Sequence, residues 1–169
     1  ACDEFDAIGL TVPGVPGFPH FAHNGSVAWC VTHAFVDIHD LFVERFRGDP
    51  SKLEVEYKDQ WLKVNHRTEN IQVKNTTPVA IDIYETQHGP IICGDPLQGS
   101  ALALRSVQFI ETDFSFDCLR PMLSAKTVDN LFEATKGWGL IDHNLVAADT
   151  KGRIGHLVRA NALDRPSSN

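Results

Sequence analysis

The chain has 169 residues, of which 43% are hydrophobic and 22% charged, and its net charge is −7. That length and balance suit one globular domain, or a large piece of one, with a core of its own. The negative charge argues against nucleic acid or an anionic membrane surface as a partner, and no apolar run is long enough for a membrane span.

From its start the chain divides into short apolar runs and turns. Phe5 to Val12 is apolar and β-branched enough to form a strand. Pro13 to Pro19 has Pro or Gly at five of seven positions, which makes a rigid loop of fixed φ angles and sharp turns. Asn24-Gly25 is a hairpin signal, since both residues accept the positive φ of a type I′ turn. It leads into Val27 to Thr32, almost wholly apolar, which predicts a strand buried on both faces. Leu41 to Phe46 is a further short strand with Glu44 and Arg45 near its exposed end.

Gly48 to Arg67 is polar and predicts surface hairpins around Trp61. Thr68 to Lys74 and Val79 to Thr86 alternate apolar and polar residues, the pattern of half-buried strands, with Asn75 to Pro78 as the turn. Gly89-Pro90 and Gly94-Asp95-Pro96 bracket a short apolar run, and Ala101 to Phe109 is the next strand. Helix enters only after Thr112. Val128, Leu131, Phe132 and Thr135 share one helical face, with Thr127 as N-cap and Gly137 as the stop. A preceding helix from about Ser115 carries Phe116, Leu119 and Leu123 on one face and is kept short by Pro121. Leu145 to Ala148 and Arg153 to Val158 pair around the Asp149 to Gly152 turn. About nine strands and two helices, mostly joined by short turns, predict an α+β fold with a mainly antiparallel sheet.

Cys2, Cys30, Cys93 and Cys118 form no CxxC pair, which argues against a zinc ribbon or redox motif. Two disulfides stay open, but Cys30 and Cys118 lie in apolar runs and read as buried thiols. No signal peptide opens the chain, which predicts a cytosolic or an already processed protein. Beginning at Ala1 without Met and ending in Arg-Pro-Ser-Ser-Asn, the sequence reads as a single domain, a fragment, or one chain of a processed protein.

The stretch from Val12 to Asp40 gathers proline, glycine and histidine: VPGxPxFPHFAHNG, then VAWCVTHAF, then DIHD running on into LFVERF. Together with ENIQVKN, ETQHGPII, ALALRSVQF and HNLVAADTKGRIGH, it resembles the β-chain of the penicillin acylase family, most closely its cephalosporin acylase branch. The resemblance runs through the whole chain in order. It implies part of the αββα sandwich of N-terminal nucleophile hydrolases, and an amide hydrolase that removes the side chain of cephalosporins or penicillins. In that family the nucleophile is the N-terminal Ser of the β-chain, with its own α-amino group as base. The resemblance implies that this Ser lies before Ala1, and that the Asn completing the oxyanion hole lies beyond Asn169. Residues 1–169 alone are then expected to be inactive. It further implies a small β-lactam as substrate, no required cofactor, and a bacterial periplasmic enzyme cut from one precursor. The α-chain and the rest of the β-chain would be its partners.

Three sets of residues acquire roles through the resemblance. His33, at the end of the buried strand, matches the position whose backbone N–H enters the oxyanion hole; by residue type alone it reads as an ordinary His after a strand. His20 and Phe21 match the wall of the acyl pocket, an aromatic surface with an imidazole suited to a chain ending in a carboxylate. Without the resemblance, Phe21 reads as core and His20 as a turn cap. Asp37, His39 and Asp40 match a calcium-holding segment, with His39 where the family uses a main-chain oxygen. The plainer alternative for them, and the favoured one, is hydrogen bonds and an ion pair with Arg45 or Arg47. His23 reads as a hairpin residue, and His88 and His143 as structural residues at strand ends. A zinc site from His20, His23 and His39 has nothing of HExxH spacing, and no GxSxG, phosphate-binding loop or GxGxxG is present. Two rivals remain: an acyl-homoserine-lactone acylase of the same fold, with a long apolar pocket, and a non-catalytic β-rich module.

Overall fold

The computed structural model describes residues 2–14, 19–109, 112–139 and 142–165. Among them are twelve strands and two short α-helices, in two compact units. Part of the proline loop, residues 15–18, lies outside the described residues.

The first unit holds a five-stranded antiparallel sheet. Its strands are Ile8–Leu10 (β1), Phe21–His23 (β2), Val27–His33 (β3), His143–Asp149 and Ile154–Arg159. The last two are β11 and β12, and the order across the sheet is β1-β2-β3-β11-β12. Asn24 shapes the β2–β3 turn with its side chain: Oδ1 accepts from the N–H groups of Ser26 and Val27. Its Nδ2 donates to the carbonyls of Leu123 and Ala125, tying the hairpin to the helical segment. Only Gly25 has positive φ here, so the turn is not the predicted type I′. A side-chain turn replaces it because Asn24 finds both local donors and distant acceptors.

Val27, Trp29 and Val31 pack with Leu145 and Ala147 under two helices, Leu119–Leu123 (α1) and Val128–Ala134 (α2). α2 begins as predicted, with Thr127 Oγ1 accepting from the Asn130 N–H. It ends at Thr135 rather than through a left-handed Gly137; that glycine instead lets Phe114 approach to 3.2 Å of where a Cβ would stand. Pro121 sits within the five-residue α1, whose Leu119 and Leu123 face the core, but Phe116 is exposed. Among the described residues β3 is buried on one face only: Ala28 and Thr32 are exposed and Cys30 half-buried. The same outer face carries exposed Val146, Ile154 and Val158. Cys118 is a buried thiol as expected; Cys2 and Cys93 are exposed, and all four cysteines are free.

The second unit is a seven-stranded antiparallel sheet. Its strands in chain order are His39–Arg47 (β4), Glu54–Tyr57 (β5), Gln60–Lys63 (β6), Asn65–Ile71 (β7), Val79–Thr86 (β8), Gly89–Asp95 (β9) and Ser100–Ser106 (β10). They lie in the order β6-β5-β4-β10-β9-β8-β7. The predicted surface hairpin around Trp61 is β5–β6, and the two-residue turn with both φ positive sits there, at Lys58-Asp59. Arg47 lies over the Trp61 ring at 4.2 Å. β7 and β8 pair through the predicted Asn75 turn, but β7 is exposed along its whole length. Glu44, expected near an exposed strand end, is buried at 3% exposure. It shares a face of β4 with the core residue Phe46, because strand neighbours two apart point the same way.

Candidate functional site

In β3 the N–H of Val31 donates to the His20 carbonyl at 3.0 Å, on the β2 side. The two-residue alternation of a strand directs the His33 N–H to that same edge. His33 is the last β3 residue in register with β11, opposite His143. The chain then leaves the sheet through Phe35, which has a left-handed φ of 56°. Such a conformation is costly for a bulky residue and persists only when its surroundings hold it. Here Asp142 does so: its carbonyl accepts from the Ala34 N–H and its Oδ2 from the Val36 N–H.

His20, His33 and His143 come together at this strand end. His33 stacks on His143 at 5.7 Å, and His20 meets His143 edge-on at 6.3 Å. The Trp138 indole N–H donates to His143 Nδ1 at 3.1 Å. An indole only donates, so Nδ1 is the acceptor and the neutral imidazole carries its proton on Nε2. His143 is 6% exposed. Burial, and secondarily the nearby His33 and His20, push its pKa below the ordinary 6.5. Below pH 6.5 the unfolded state therefore binds a proton that the folded state does not take up until more acidic pH. Stability is full above that value and falls as the pH drops through it. We expect the urea-unfolding free energy to decline as the pH falls below about 6.5. The decline should be shallower in His143→Gln, whose side-chain oxygen still accepts from Trp138; an identical slope would mean that His143 does not titrate differently on folding.

Phe21 is not part of this cluster. It pairs with Cys30, on the sheet face opposite the one carrying Val31 and His33, and is half exposed rather than core. The predicted wall is therefore divided: His20, at the bend before β2, meets His143, while Phe21 lies on the opposite sheet face.

Asp37, His39 and Asp40 do not converge as a cluster of three side chains. Asp37 pairs with Arg165 at 3.0 Å. Among the described residues, no group of three or more His, Cys, Asp or Glu side chains could hold a metal ion. The expected partners are also engaged elsewhere: Arg45 faces Glu56 at 3.8 Å and Arg47 binds Glu54 at 2.7 Å.

Sequence reading left out Trp138, Asn144 and His156. Asn144 Nδ2 reaches the His33 carbonyl at 3.1 Å and Thr32 Oγ1 at 3.3 Å, while His156 Nε2 lies 2.9 Å from Asn144 Oδ1. The only signal for Asn144 was its place on β11 beside β3, and for His156 its place on β12 next to β11; Trp138 lies outside the strands.

A sequence model of the penicillin amidase family matches residues 1–169. The chain is 60% identical to the penicillin acylase 2 proenzyme of Pseudomonas sp. (strain SE83), across all of this chain and 22% of that protein. It is 34% identical to the acyl-homoserine lactone acylase QuiP of Pseudomonas fluorescens (strain Pf0-1), across 96% of this chain and 20% of that protein. Among solved structures it is similar to the thermostable penicillin G acylase from Alcaligenes faecalis, with a TM-score of 0.81 and 25% identity over 99% of this chain and 30% of that one. The chain thus spans about a fifth of the curated relatives' length. Its mainly antiparallel architecture with two helices is that of the N-terminal nucleophile hydrolases. No helix among the described residues is long and apolar enough to cross a membrane.

Proposed function

The chain belongs to the penicillin amidase family, and from that premise we propose that it is part of an acylase that hydrolyses the side-chain amide of a cephalosporin or penicillin. The observation that carries this reading is the 60% identity, over every residue of the chain, to a protein named penicillin acylase 2 proenzyme. On this reading an N-terminal Ser supplied from outside residues 1–169 attacks the amide carbonyl, with its own α-amine as base. The amine product leaves, and water releases the acid from the acyl-enzyme. The His33 N–H donates to the oxyanion, and preorganised donors of this kind stabilise the tetrahedral intermediate. His20 contacts the acyl chain, and His143 joins it, its Nε2–H being a donor for a terminal carboxylate; Phe21, on the other sheet face, takes no part. The enzyme is a bacterial periplasmic protein made as one precursor, and the name "proenzyme" of its relative supports that order of events.

The second reading, an acyl-homoserine lactone acylase, draws support from the relative at 34% identity. It fits the imidazole cluster less well, because an alkyl chain pairs with none of its polar groups. The full-length protein should hydrolyse a glutaryl amide faster than a dodecanoyl amide, by about tenfold or more in kcat/KM. The reverse order would establish the second reading, and no turnover of either amide would leave a binding module.

A further inference from the structure

The peptide that carries the His33 N–H lies between the Thr32 and His33 Cα atoms. One side chain from another strand holds both flanks of that peptide. Asn144 Nδ2 donates to the His33 carbonyl on one side and to Thr32 Oγ1 on the other. Asn144 sits directly opposite Thr32 in the β3–β11 register, so it approaches without distorting the ladder. Its own orientation is set in turn. His156, on β12, donates from Nε2 to Asn144 Oδ1, which keeps the NH2 group turned toward β3. The remaining direction of escape is the turn after His33, and there Asp142 holds Ala34 and Val36.

We propose that Asn144, held by His156, is a positioning residue that fixes the direction of the His33 N–H by gripping the His33 carbonyl and the Thr32 hydroxyl. It touches no reacting atom; it restricts the rotations on either side of the peptide whose N–H must meet the oxyanion. The sequence separates this residue from His33 by 111 positions, so the arrangement exists only in the folded sheet. The role rests on the reading of His33 as the oxyanion donor.

The test uses the full-length acylase and a chromogenic glutaryl amide. Asn144→Asp keeps the shape of the side chain but sets an oxygen, not an NH2, against the His33 carbonyl. It should lower kcat roughly ten- to hundredfold, the scale of a small misplacement, with KM within about twofold. His156→Ala releases the Asn144 amide without altering β3 and should lower kcat in the same sense but less. His156→Gln can still donate to Asn144 Oδ1 and should recover most of that loss. If Asn144→Asp does not fold, the His156 pair decides. Unchanged kcat in Asn144→Asp and His156→Ala overturns the positioning role, as does a loss confined to KM. His33→Pro reports separately on the reading beneath it: full turnover there overturns both, whereas loss there with full turnover in the other variants removes only the role of Asn144.

Discussion

Replacing His33 by Pro in the full-length enzyme is expected to lower kcat by about two to three orders of magnitude, the usual cost of one lost oxyanion donor. Proline has no N–H, so the substitution deletes that donor directly. The position tolerates it better than mid-strand would. His33 is the last residue of β3, and the chain turns away immediately afterwards at Phe35. The carbonyl gripped by Asn144 also survives the change. His33→Ala provides the contrast. It keeps the N–H but removes the ring stacked on His143, so its effect should fall mainly on KM through the acyl chain. Equal kcat in His33→Pro and the parent, measured with the protein shown to be folded, would remove His33 from the oxyanion hole.

Local chemistry told much of the fold but little about which faces are covered. The Thr127 cap, the α2 stripe and the Asp149 turn need only neighbours within a few residues, and the structure has all three. The Asn24-Gly25 hairpin was located by the same kind of signal, yet its turn type depends on Leu123 and Ala125, about 100 residues away, which draw Asn24's amide toward them. Lys58-Asp59, by contrast, takes positive φ at both positions without the Asn-Gly signature. The apolar run of β3 predicted burial on both faces, and the helices supply only one. Ala28, Val146, Ile154 and Val158 present the other face uncovered, and Leu41, Val43 and Ile92 are likewise exposed in the second unit. Both observations agree with a chain that spans 22% of its relative. The site was the least readable part. Residue type cannot reveal a backbone donor, and His143, Trp138 and Asn144 acquire meaning only when β11 lies beside β3.

Glu44→Ala is expected to destabilise the protein by roughly 2 kcal/mol, because it takes the buried carboxylate away from two part-buried polar partners. Glu44 Oε1 accepts from Thr86 Oγ1 at 2.8 Å and meets His88 Nδ1 at 2.8 Å. The His88 imidazole is in turn stacked against Phe42 at 3.8 Å and flanked edge-on by Tyr57. These contacts cross the sheet, because β10 and β9 lie between β4 and β8. They also fix the tight β8–β9 turn. Gly89 there has a φ of 132°, and a Cβ on it would come within 2.1 Å of the Leu104 carbonyl oxygen. Removing the carboxylate leaves the half-buried His88 ring without its acceptor and the Thr86 hydroxyl with only the Gly89 carbonyl at 3.4 Å, whereas Glu44→Gln still offers an oxygen and should cost about 1 kcal/mol. The double variant Glu44→Leu with His88→Phe separates the alternatives. It replaces both partners by apolar groups of similar size and should recover most of the loss, as buried pairs exchanged together often do. Urea-unfolding midpoints of the parent and the three variants measure this directly. If Glu44→Ala shifts stability by less than about 1 kcal/mol, the carboxylate is not a structural clamp, since even one stranded buried group costs about that much.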